Sequence, residues 1–416
     1  MRVGKVKASA LQFAILVATM VALFLGAFLT LTHTHRFFAD QSQFLMQSVE
    51  GANQGVGYSL QPDAGIRDSI TFQEELLTTT VAKSYWGGFE MIRSRATVRT
   101  KSFSKKALTG SALGSQPTSI YMGDDRFPLV LVGNTKIEGT AYISSKGIKP
   151  GSIAGHYYTG GNLIDGPIRY SSGSLPRLDA QWSRTIKQWM DFIPGTEHLV
   201  VPQQPVQNSF YEDRMYIYDE GPVTISETYL GNIVIISKTE ITVTPEARLQ
   251  DILVVAPKIT LQKGTQGSAH FIANEQIKVE EDVVLSYPSS LVVMYEQPDD
   301  NRPVPRGDEP VVVSDFAEVN GNVILQFKKD TLAGSRTHMA FAEEARIRGM
   351  VYCQGNIEHK GTIEGSVYTN TFLANESGSV YLNHLYKGKV LANRLHPEYC
   401  GLPFQNKQKG IAKWLY

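Results

Sequence analysis

The sequence predicts a mainly β protein with a single N-terminal transmembrane helix, followed by an extracytoplasmic parallel β-solenoid that carries a helical insertion. Two observations lead to this fold class. An uncharged apolar run extends from Leu11 to Leu31, and Ile241, Ile259 and Ile277 recur at a constant spacing of 18 residues. The 36 glycines and the frequent valine, isoleucine, threonine and tyrosine are the composition of strands and tight turns.

The apolar run is long enough to cross the hydrocarbon core of a bilayer as a helix. Arg2, Lys5 and Lys7 precede it and only Arg36 follows closely, which predicts a cytoplasmic N-terminus. A cleaved signal peptide has a shorter apolar region followed by a small-x-small cleavage site, so we expect an uncleaved anchor. The chain is therefore predicted to be a single-pass protein of the inner (cytoplasmic) membrane, in the lipid bilayer through residues 11–31, with its bulk extracytoplasmic.

Small residues recur at four-residue steps along one stripe of this span, at Ala14, Ala18, Ala22 and Gly26. Such a stripe lets another helix approach closely, and we name it as a candidate helix-packing surface. The alternative is that alanine is simply common in membrane helices, in which case the helix is only an anchor.

Changes in composition and hydrophobic pattern divide the chain into segments. We predict a cytoplasmic N-terminus and anchor in residues 1–35, a membrane-proximal helical or mixed region in 36–126, first solenoid-like coils in 127–172, a helical insertion and connection in 173–221, the main solenoid in 222–400 with an exposed loop at 295–310, and a tail in 401–416. Residues 71–83 are expected to be helical. In 178–193, a helical face is predicted at Trp182, Ile186, Met190 and Ile193.

The repeat extends back to Val223, and a second row follows two residues later in each copy, at Ile225, Val243, Leu261 and Val279. An apolar pair at i and i+2 is the inward side of a short strand. Apolar pairs also recur every six residues, so three strands form a coil of 18 residues, and stacked coils form parallel sheets around an apolar interior. A coiled coil is excluded, because six is not a heptad.

A related pattern has a 16-residue step. Ile347-x-Gly349-x-Val351 is repeated at residues 363–367, and similar isoleucine-x-glycine copies begin at Ile137, Ile153 and Ile164. Glycine at such a position is expected at a corner that needs a positive φ or a close backbone approach. Residues 127–170 are therefore candidates for further coils of the same solenoid.

The sequence contains no catalytic constellation that we can assign, so we expect a protein that is not an enzyme and has no cofactor and no metal site. The outward positions Glu240, Lys258 and Gln276 are mixed in charge, as on a solvated face. His270 is a lone histidine. The 40 basic and 40 acidic residues balance, which argues against a nucleic-acid partner. Cys353 and Cys400 are predicted to be extracytoplasmic, where a disulfide between them can form.

Two resemblances to known families accompany these patterns. The glycine-centred copies "IEGTAYI", "IRGMVY" and "IEGSVY" resemble the coils of bactofilins and related polymer-forming proteins, which implies end-to-end self-association without nucleotide. The segment "KVKASALQFAILVATMVALFLGAF" is similar to the N-termini of minor pilins and pseudopilins, which implies assembly with pilus-like proteins. It lacks the glutamate expected near the start of a major pilin.

We therefore expect a membrane-anchored, non-enzymatic bacterial cell-envelope protein with a structural or assembly role, as a component of a pilus-like or secretion apparatus. Its partners would be other envelope or pilus-like assembly proteins, and self-association is a third outcome. The alternative is an extracytoplasmic carbohydrate-binding or carbohydrate-active β-helix. A carboxylate pair on one face, or aromatic side chains such as Tyr216, Tyr218 and Tyr229 along a groove, would favour that alternative.

Overall fold

The computed structural model describes residues 8–62, 64, 68–123, 125–195, 198–297, 305–329 and 334–416. It is mainly β, with a long apolar helix at the N-terminus (α1, Ala8–Ser59), a second helix (α2, Ala180–Asp191) and a 3-10 turn at Ala392–Arg394. The predicted flanking charges Arg2, Lys5 and Lys7 lie outside the described residues. So does the part of the predicted exposed loop 295–310 that covers residues 298–304.

Helix α1 is one uninterrupted element of 52 residues, so the predicted span continues into the membrane-proximal segment. Every residue from 9 to 40 is exposed, whereas buried or half-buried positions recur every three or four residues from 41 to 59. Among the described residues, this is the one helix long and apolar enough to cross a membrane. An apolar helix exposed on all sides followed by an amphipathic half is the pattern of a span joined to a packed stem.

The chain forms two compact units. The first contains α1 as far as Gly57, together with Ile70–Val81 and Ser94–Lys105, and the second contains the rest. Within the first unit, the stem of α1 packs on the strands through Gly51, Ala52 and Gly55. A Cβ on Gly55 would lie 2.3 Å from Ser94 Oγ, so this glycine permits close packing. Neither Gly55 nor Gly57 interrupts the helix, which continues to Ser59.

Four strands follow α1 in consecutive order, at Ser69–Glu74, Leu77–Trp86, Phe89–Val98 and Lys101–Ala112. Two-residue links join them, which requires antiparallel pairing. The helix predicted in residues 71–83 is therefore wrong. The β-branched run from Thr78 to Val81 favours strands, and a turn at Glu75 with a φ of 44° separates two of them.

Most of the second unit is a stack of parallel coils. Its strands are Thr118–Met122, Leu129–Val132, Lys136–Glu138, Thr140–Ile143, Ile148–Pro150, Ser152–Ile153, His156–Tyr157, Ile168–Tyr170, Val206–Asn208, Met215–Asp219, Val223–Ile225, Thr228–Gly231, Ile233–Ser237, Glu240–Val243, Arg248–Val255, Lys258–Leu261, Gln266–Ala273, Gln276–Val279, Val284–Tyr295, Val311–Val313, Glu318–Phe327, Met339–Phe341, Arg346–His359, Thr362–Glu376, Ser379–Leu382, His384–Tyr386 and Lys389–Leu391.

Parallel pairing arranges most of these strands on three faces around one apolar interior, which is a β-helix-like arrangement. The exceptions are the antiparallel hairpin of Ser152–Ile153 with His156–Tyr157, and Ser379–Leu382, which pairs antiparallel with Thr362–Glu376. Each face has one continuous inward row. The first face has Val223, Ile241, Ile259, Ile277, Val311, Met339, Ile357 and Phe372. The second has Val206, Tyr229, Leu249, Gly267, Leu285, Val319, Ile347, Ile363, Val390 and Ile137. The third has Ile217, Ile235, Val254, Phe271, Leu291, Val323, Val351, Val367, Ile120, Ala141 and Ile168.

The predicted 18-residue alignment is confirmed, because Val223, Ile241, Ile259 and Ile277 are direct neighbours in the first face. The outward Glu240, Lys258 and Gln276 are stacked in the same register. Parallel neighbours lie about 4.8 Å apart, so each repeat adds one layer of core.

With the strand Val206–Asn208 at the top of the stack, residues 118–170 lie at the bottom, although they come earlier in the chain. They follow the last coil of residues 206–391, since Ile120 pairs with Val367 and Ile137 pairs with Val390. One part of the 16-residue pattern was wrong. Ile153 does not lie below Ile137 but in a short antiparallel hairpin, where it pairs with His156. Ile164 takes the place below Ile137, because Glu138 bridges to Asp165.

The outward side of the third face is also covered. Trp182 and Ile186 of α2 are buried there beside Val234, Ile272 and their neighbours. The predicted helical face was right for these two residues, but Trp189 is the third buried position. Ile193 is exposed and lies beyond the end of the helix. A sheet covered on both sides accounts for the unbroken apolar runs in its strands.

Candidate functional site

The second unit contains a polar cavity of about 660 Å³. Four parts of the chain supply its charged lining: Asp68 just before the strand Ser69–Glu74, Lys83 on the strand Leu77–Trp86, Asp179 and Arg184 at the start of α2, and Lys409 on the C-terminal strand Lys409–Leu415. Gln61, Gln181, Gln405 and Asn406 add amide groups at its wall. An amide side chain can both donate and accept hydrogen bonds, so this wall suits a polar ligand.

Asp179 is the hub of the cavity and caps α2. Its Oδ1 accepts hydrogen bonds from the backbone N–H groups of Gln181 (2.8 Å) and Trp182 (3.1 Å) and from the Tyr85 hydroxyl (2.9 Å). Its Oδ2 accepts from Lys83 Nζ at 2.8 Å. The carboxylate therefore occupies the positive end of the helix, where an anionic ligand would otherwise bind.

A second carboxylate lies behind the first. Glu90 is fully buried, and one of its oxygens pairs with Lys409 Nζ at 2.5 Å while the other lies 3.7 Å from Lys83 Nζ. Lys83, Lys409, Glu90 and Asp179 thus form a balanced ion network, with two charges of each sign. Buried ions that are paired in this way are costly to break, because loss of one partner leaves a desolvated charge.

The protonation states follow from these contacts. Burial by itself would raise the pKa of Asp179, but the hydrogen bond and the charge of Lys83 outweigh it and hold that pKa below its ordinary value. Burial, and then the charge of Asp179, raise the pKa of Tyr85. Asp179 is therefore ionised at neutral pH, and the paired side chains of the network hold α2 and the C-terminal strand in place.

A smaller cavity of about 380 Å³ lies on the outward side of the first face, lined by Glu309, Glu358 and Lys360 among others. Burial raises the pKa of Glu309, whose carboxylate accepts the Gly307 N–H at 2.7 Å. Glu358 forms an ion pair with Lys360 at 3.1 Å and accepts a hydrogen bond from Asn375 at 3.0 Å. Glu309 and Glu358 therefore line one cavity, in which Lys360 is the ion-pair partner of Glu358.

The structure does not join the two cysteines in the predicted bridge. Both are free, buried thiols. Cys353 faces the interior of the coil stack, and Cys400 pairs with Ala112 of another sheet. Burial raises the pKa of Cys353 to about 12, and burial followed by the charge of Glu398 raises that of Cys400 to about 11. Both thiols are therefore protonated and unreactive at neutral pH.

The predicted helix-packing stripe is exposed along its whole length at Ala14, Ala18, Ala22 and Gly26. A Cβ on Gly26 would meet nothing within 4 Å. The stripe is therefore open to a neighbouring helix, and no contact among the described residues covers it.

The other predicted side chains have structural surroundings. His270 is fully buried, its Nδ1 lies 2.9 Å from Ser290 Oγ, and burial followed by the charge of Lys413 lowers its pKa to about 3. Tyr229 is an interior residue, and Tyr216 packs against Phe192. Tyr218 is half-buried beside His198. These three tyrosines do not line a common groove.

The ion network was missed in the sequence. Lys83 and Asp179 are 96 residues apart, and Lys409 and Glu90 are 319 apart, so no local pattern links them. As for metals, no three histidine, cysteine or carboxylate side chains in the described parts of the chain are arranged to hold an ion.

Comparisons with known proteins provide little further identification. No family model matches the chain, and no curated protein matches it. Among solved structures, it is similar to the crystal structure of the competence-associated pilin ComZ from Thermus thermophilus, at 9% identity, over 89% of this chain and 96% of that one. The TM-score of 0.25 is too low for this likeness to support an argument about fold or function.

Proposed function

We propose that this protein is a membrane-anchored, non-enzymatic component of the bacterial cell envelope, in which one N-terminal helix holds an extracytoplasmic β-solenoid that serves as an assembly scaffold. One observation carries the proposal: α1 is continuous from an apolar half exposed on every side to a half packed on strands. Within the described residues the first half packs against nothing, and a bilayer is the environment that such an apolar surface requires.

The continuous junction between the two halves of α1 supports the proposal of an anchor that transmits force to the strands on which it packs. The stem has no proline and no break, and Gly51 and Gly55 place its backbone close to Leu77 and Thr79. Helix and strands therefore interlock within the first unit, whereas a flexible linker would leave the anchor free to swivel.

The coil stack supports a scaffold role. Its three inward rows form a continuous apolar core. The four charged side chains of the ion network, Lys83, Glu90, Asp179 and Lys409, are paired with one another. In a repeat architecture each layer contacts only its neighbours, which yields an elongated, regular surface for assembly. With the pilin-like N-terminus, we propose that the assembly is pilus-like or belongs to a secretion apparatus.

The test places arginine at two equally exposed positions of α1. Leu23 and Met46 are each 73% exposed, but only Leu23 lies within the apolar run. Leu23→Arg should cost about 3 kcal/mol of insertion free energy and shift the protein out of the carbonate-resistant membrane fraction, whereas Met46→Arg should leave it there. Equal membrane retention of both variants would contradict a span at residues 11–31.

Topology is measured on the full chain in spheroplasts. We expect external protease to digest the coil stack in spheroplasts and in lysed cells alike. Protection until lysis would place the stack in the cytoplasm. Removing residues 1–35 should release a soluble, strand-rich fragment, and a mainly helical circular-dichroism spectrum of that fragment would contradict the β-solenoid.

A carbohydrate-binding β-helix is the second candidate, and a specific observation favours it. Tyr352, Tyr368, Tyr121 and Tyr142 occupy successive coils on the outward side of the third face, with centroids 6.4, 6.1 and 5.3 Å apart. Tyr352 and Tyr368 are buried, so only the half-buried Tyr121 and Tyr142, at one end of the row, offer surface to a sugar. Retention of the protein on insoluble envelope polysaccharide, abolished by Tyr142→Ala, would favour this candidate over the scaffold.

A further inference from the structure

The lowest coil of the stack has an incomplete third face. Its strand, Ile168–Tyr170, pairs with Thr140–Ile143 on one side, and no strand in the described residues lies on the other. Ile168 and Tyr170 point inward, in register with the fully buried Ala141 and Ile143. Yet Ile168 is 50% exposed and Tyr170 is 72% exposed. These two residues are a core row without the layer that would cover it.

The backbone of this strand is also open. Pro167 accepts a hydrogen bond from Ala141 and Ser171 donates one to Ile143, so the alternate residues of this segment bond to the strand above. In a parallel ladder, the residues between them direct their N–H and C=O groups to the other side. Those residues are Ile168 and Tyr170, whose backbone groups are therefore available to a further strand.

The chain segment that leads into and includes this edge strand is basic. In residues 144–171 the charged residues are Lys146, Lys149, Arg169 and Asp165, so three positive charges face one negative charge. All three cations are exposed, and Arg169 belongs to the open strand itself. An occupant with carboxylates beside its apolar residues would match this charge.

The opposite end of the stack does not offer such an occupant. There the third face ends in a single bridged residue, Leu199, which pairs with Ile217. The segment that follows contains Pro202 and Pro205, which have no N–H to donate to a ladder. One end of the stack is thus protected against strand pairing and the other is not. This asymmetry argues against head-to-tail stacking of copies. Two copies paired through the same edge would bring their Arg169 side chains together, so a partner other than a second copy is favoured.

We propose that the edge strand Ile168–Tyr170 is a docking site for an extended segment of another protein, which adds as the next parallel strand of the third face. The segment has apolar residues at alternate positions, which cover Ile168 and Tyr170, and it has carboxylates on its flanks, which pair with the basic residues around the edge. Main-chain hydrogen bonds provide affinity, and the alternating apolar side chains fix the register.

The probe is a synthetic nine-residue peptide with valine or isoleucine at alternate positions and two glutamates at each end. It is titrated against the full-length protein in lipid nanodiscs. The proposal expects saturable binding that Ile168→Glu weakens at least tenfold. Val200→Glu is the control, since Val200 is an even more exposed apolar residue (74% against 50% for Ile168) at the protected end, and this variant should bind as the wild type does.

Two modified peptides test the geometry. N-methylation of the polar, outward residues removes the N–H groups that would reach the edge strand, and should abolish binding. N-methylation of the apolar, inward residues should leave binding unchanged, because their N–H groups face away. Replacing the glutamates by lysines should weaken binding at low salt.

Three results would overturn the proposal: no saturable binding below about 1 mM peptide, equal effects of the two N-methylated peptides, or equal effects of Ile168→Glu and Val200→Glu. Concentration-dependent oligomers in analytical ultracentrifugation that Ile168→Glu abolishes would also overturn it, by assigning the edge to a second copy. The result is independent of membrane anchoring, which the arginine variants of α1 test separately.

Discussion

The glycine row at the corner between the second and third faces provides the sharpest test of the coil geometry. Gly321, Gly349 and Gly365 are stacked in register with φ values of 148°, 156° and 152°. A Cβ built on Gly365 lies 1.8 Å from the carbonyl oxygen of Gly349 and 2.8 Å from its carbon. The contact is with backbone, so the layers themselves must move to relieve it. We expect Gly365→Ala to be among the most destabilising substitutions of a small residue in this chain.

The magnitude has two contributions. A side chain at such a positive φ costs about 1–3 kcal/mol, and displacing close-packed neighbours costs about 1–3 kcal/mol more. The sum, about 2–6 kcal/mol, is a large fraction of an ordinary folding free energy of about 5–15 kcal/mol.

Two control substitutions separate these contributions. Gly378 has a φ of 77° but nothing within 4 Å of its added Cβ, so Gly378→Ala should show only the backbone cost. At Gly173 the Cβ also meets nothing, and the backbone is not in the positive-φ region, so Gly173→Ala should be neutral or slightly stabilising.

The assay is urea denaturation of the full chain in detergent, followed by tryptophan fluorescence because Trp86 and Trp182 are buried in the second unit. We expect the urea midpoint to be highest for Gly173→Ala, lower for Gly378→Ala and lowest for Gly365→Ala. A midpoint for Gly365→Ala equal to that of Gly378→Ala would refute the close approach of adjacent coils at this corner.

Two further predictions concern buried charge. Burial lowers the pKa of His338 and of His359 to about 4 from an ordinary 6.5, so each must stay neutral in the fold. The free energy of unfolding should have its full value above about pH 6.5 and fall by up to about 1.4 kcal/mol per pH unit for each histidine as the pH drops toward 4. His359→Gln should therefore make the urea midpoint less dependent on pH, and an unchanged pH dependence would contradict this. In the ion network, Lys409→Met should cost about 3–5 kcal/mol because Glu90 loses its main partner, whereas adding Glu90→Gln should recover much of that loss. Additive effects in this double-mutant cycle would show that the two charges are not coupled.

The inward rows were predictable because a stacked coil repeats its own environment. Val223, Ile241, Ile259 and Ile277 meet the same neighbours in each layer, so the 18-residue spacing is visible without knowledge of the rest of the chain. The same reasoning predicted the register of Gly349 with Gly365. It was wrong at Ile153, where an inserted hairpin breaks the spacing that periodicity assumes.

The membrane-proximal region shows the opposite case. Residues 71–83 contain glutamates and leucines that favour a helix, yet they form two strands. The choice depends on strand partners and on the packing of α1, neither of which is visible in a window of a dozen residues. Strand propensity depends strongly on such context.

The sequence by itself determined the parts of this protein that rest on local patterns. These are an apolar run long enough to cross a bilayer, and apolar pairs at a fixed spacing that specify coils. Tertiary structure alone decided what depends on distant partners. Examples are the ion network of Lys83, Glu90, Asp179 and Lys409, the placement of residues 118–170 below the last coil, and the open edge at Ile168–Tyr170. The physical reason is that burial and pairing are properties of the surroundings, and segments hundreds of residues apart supply those surroundings.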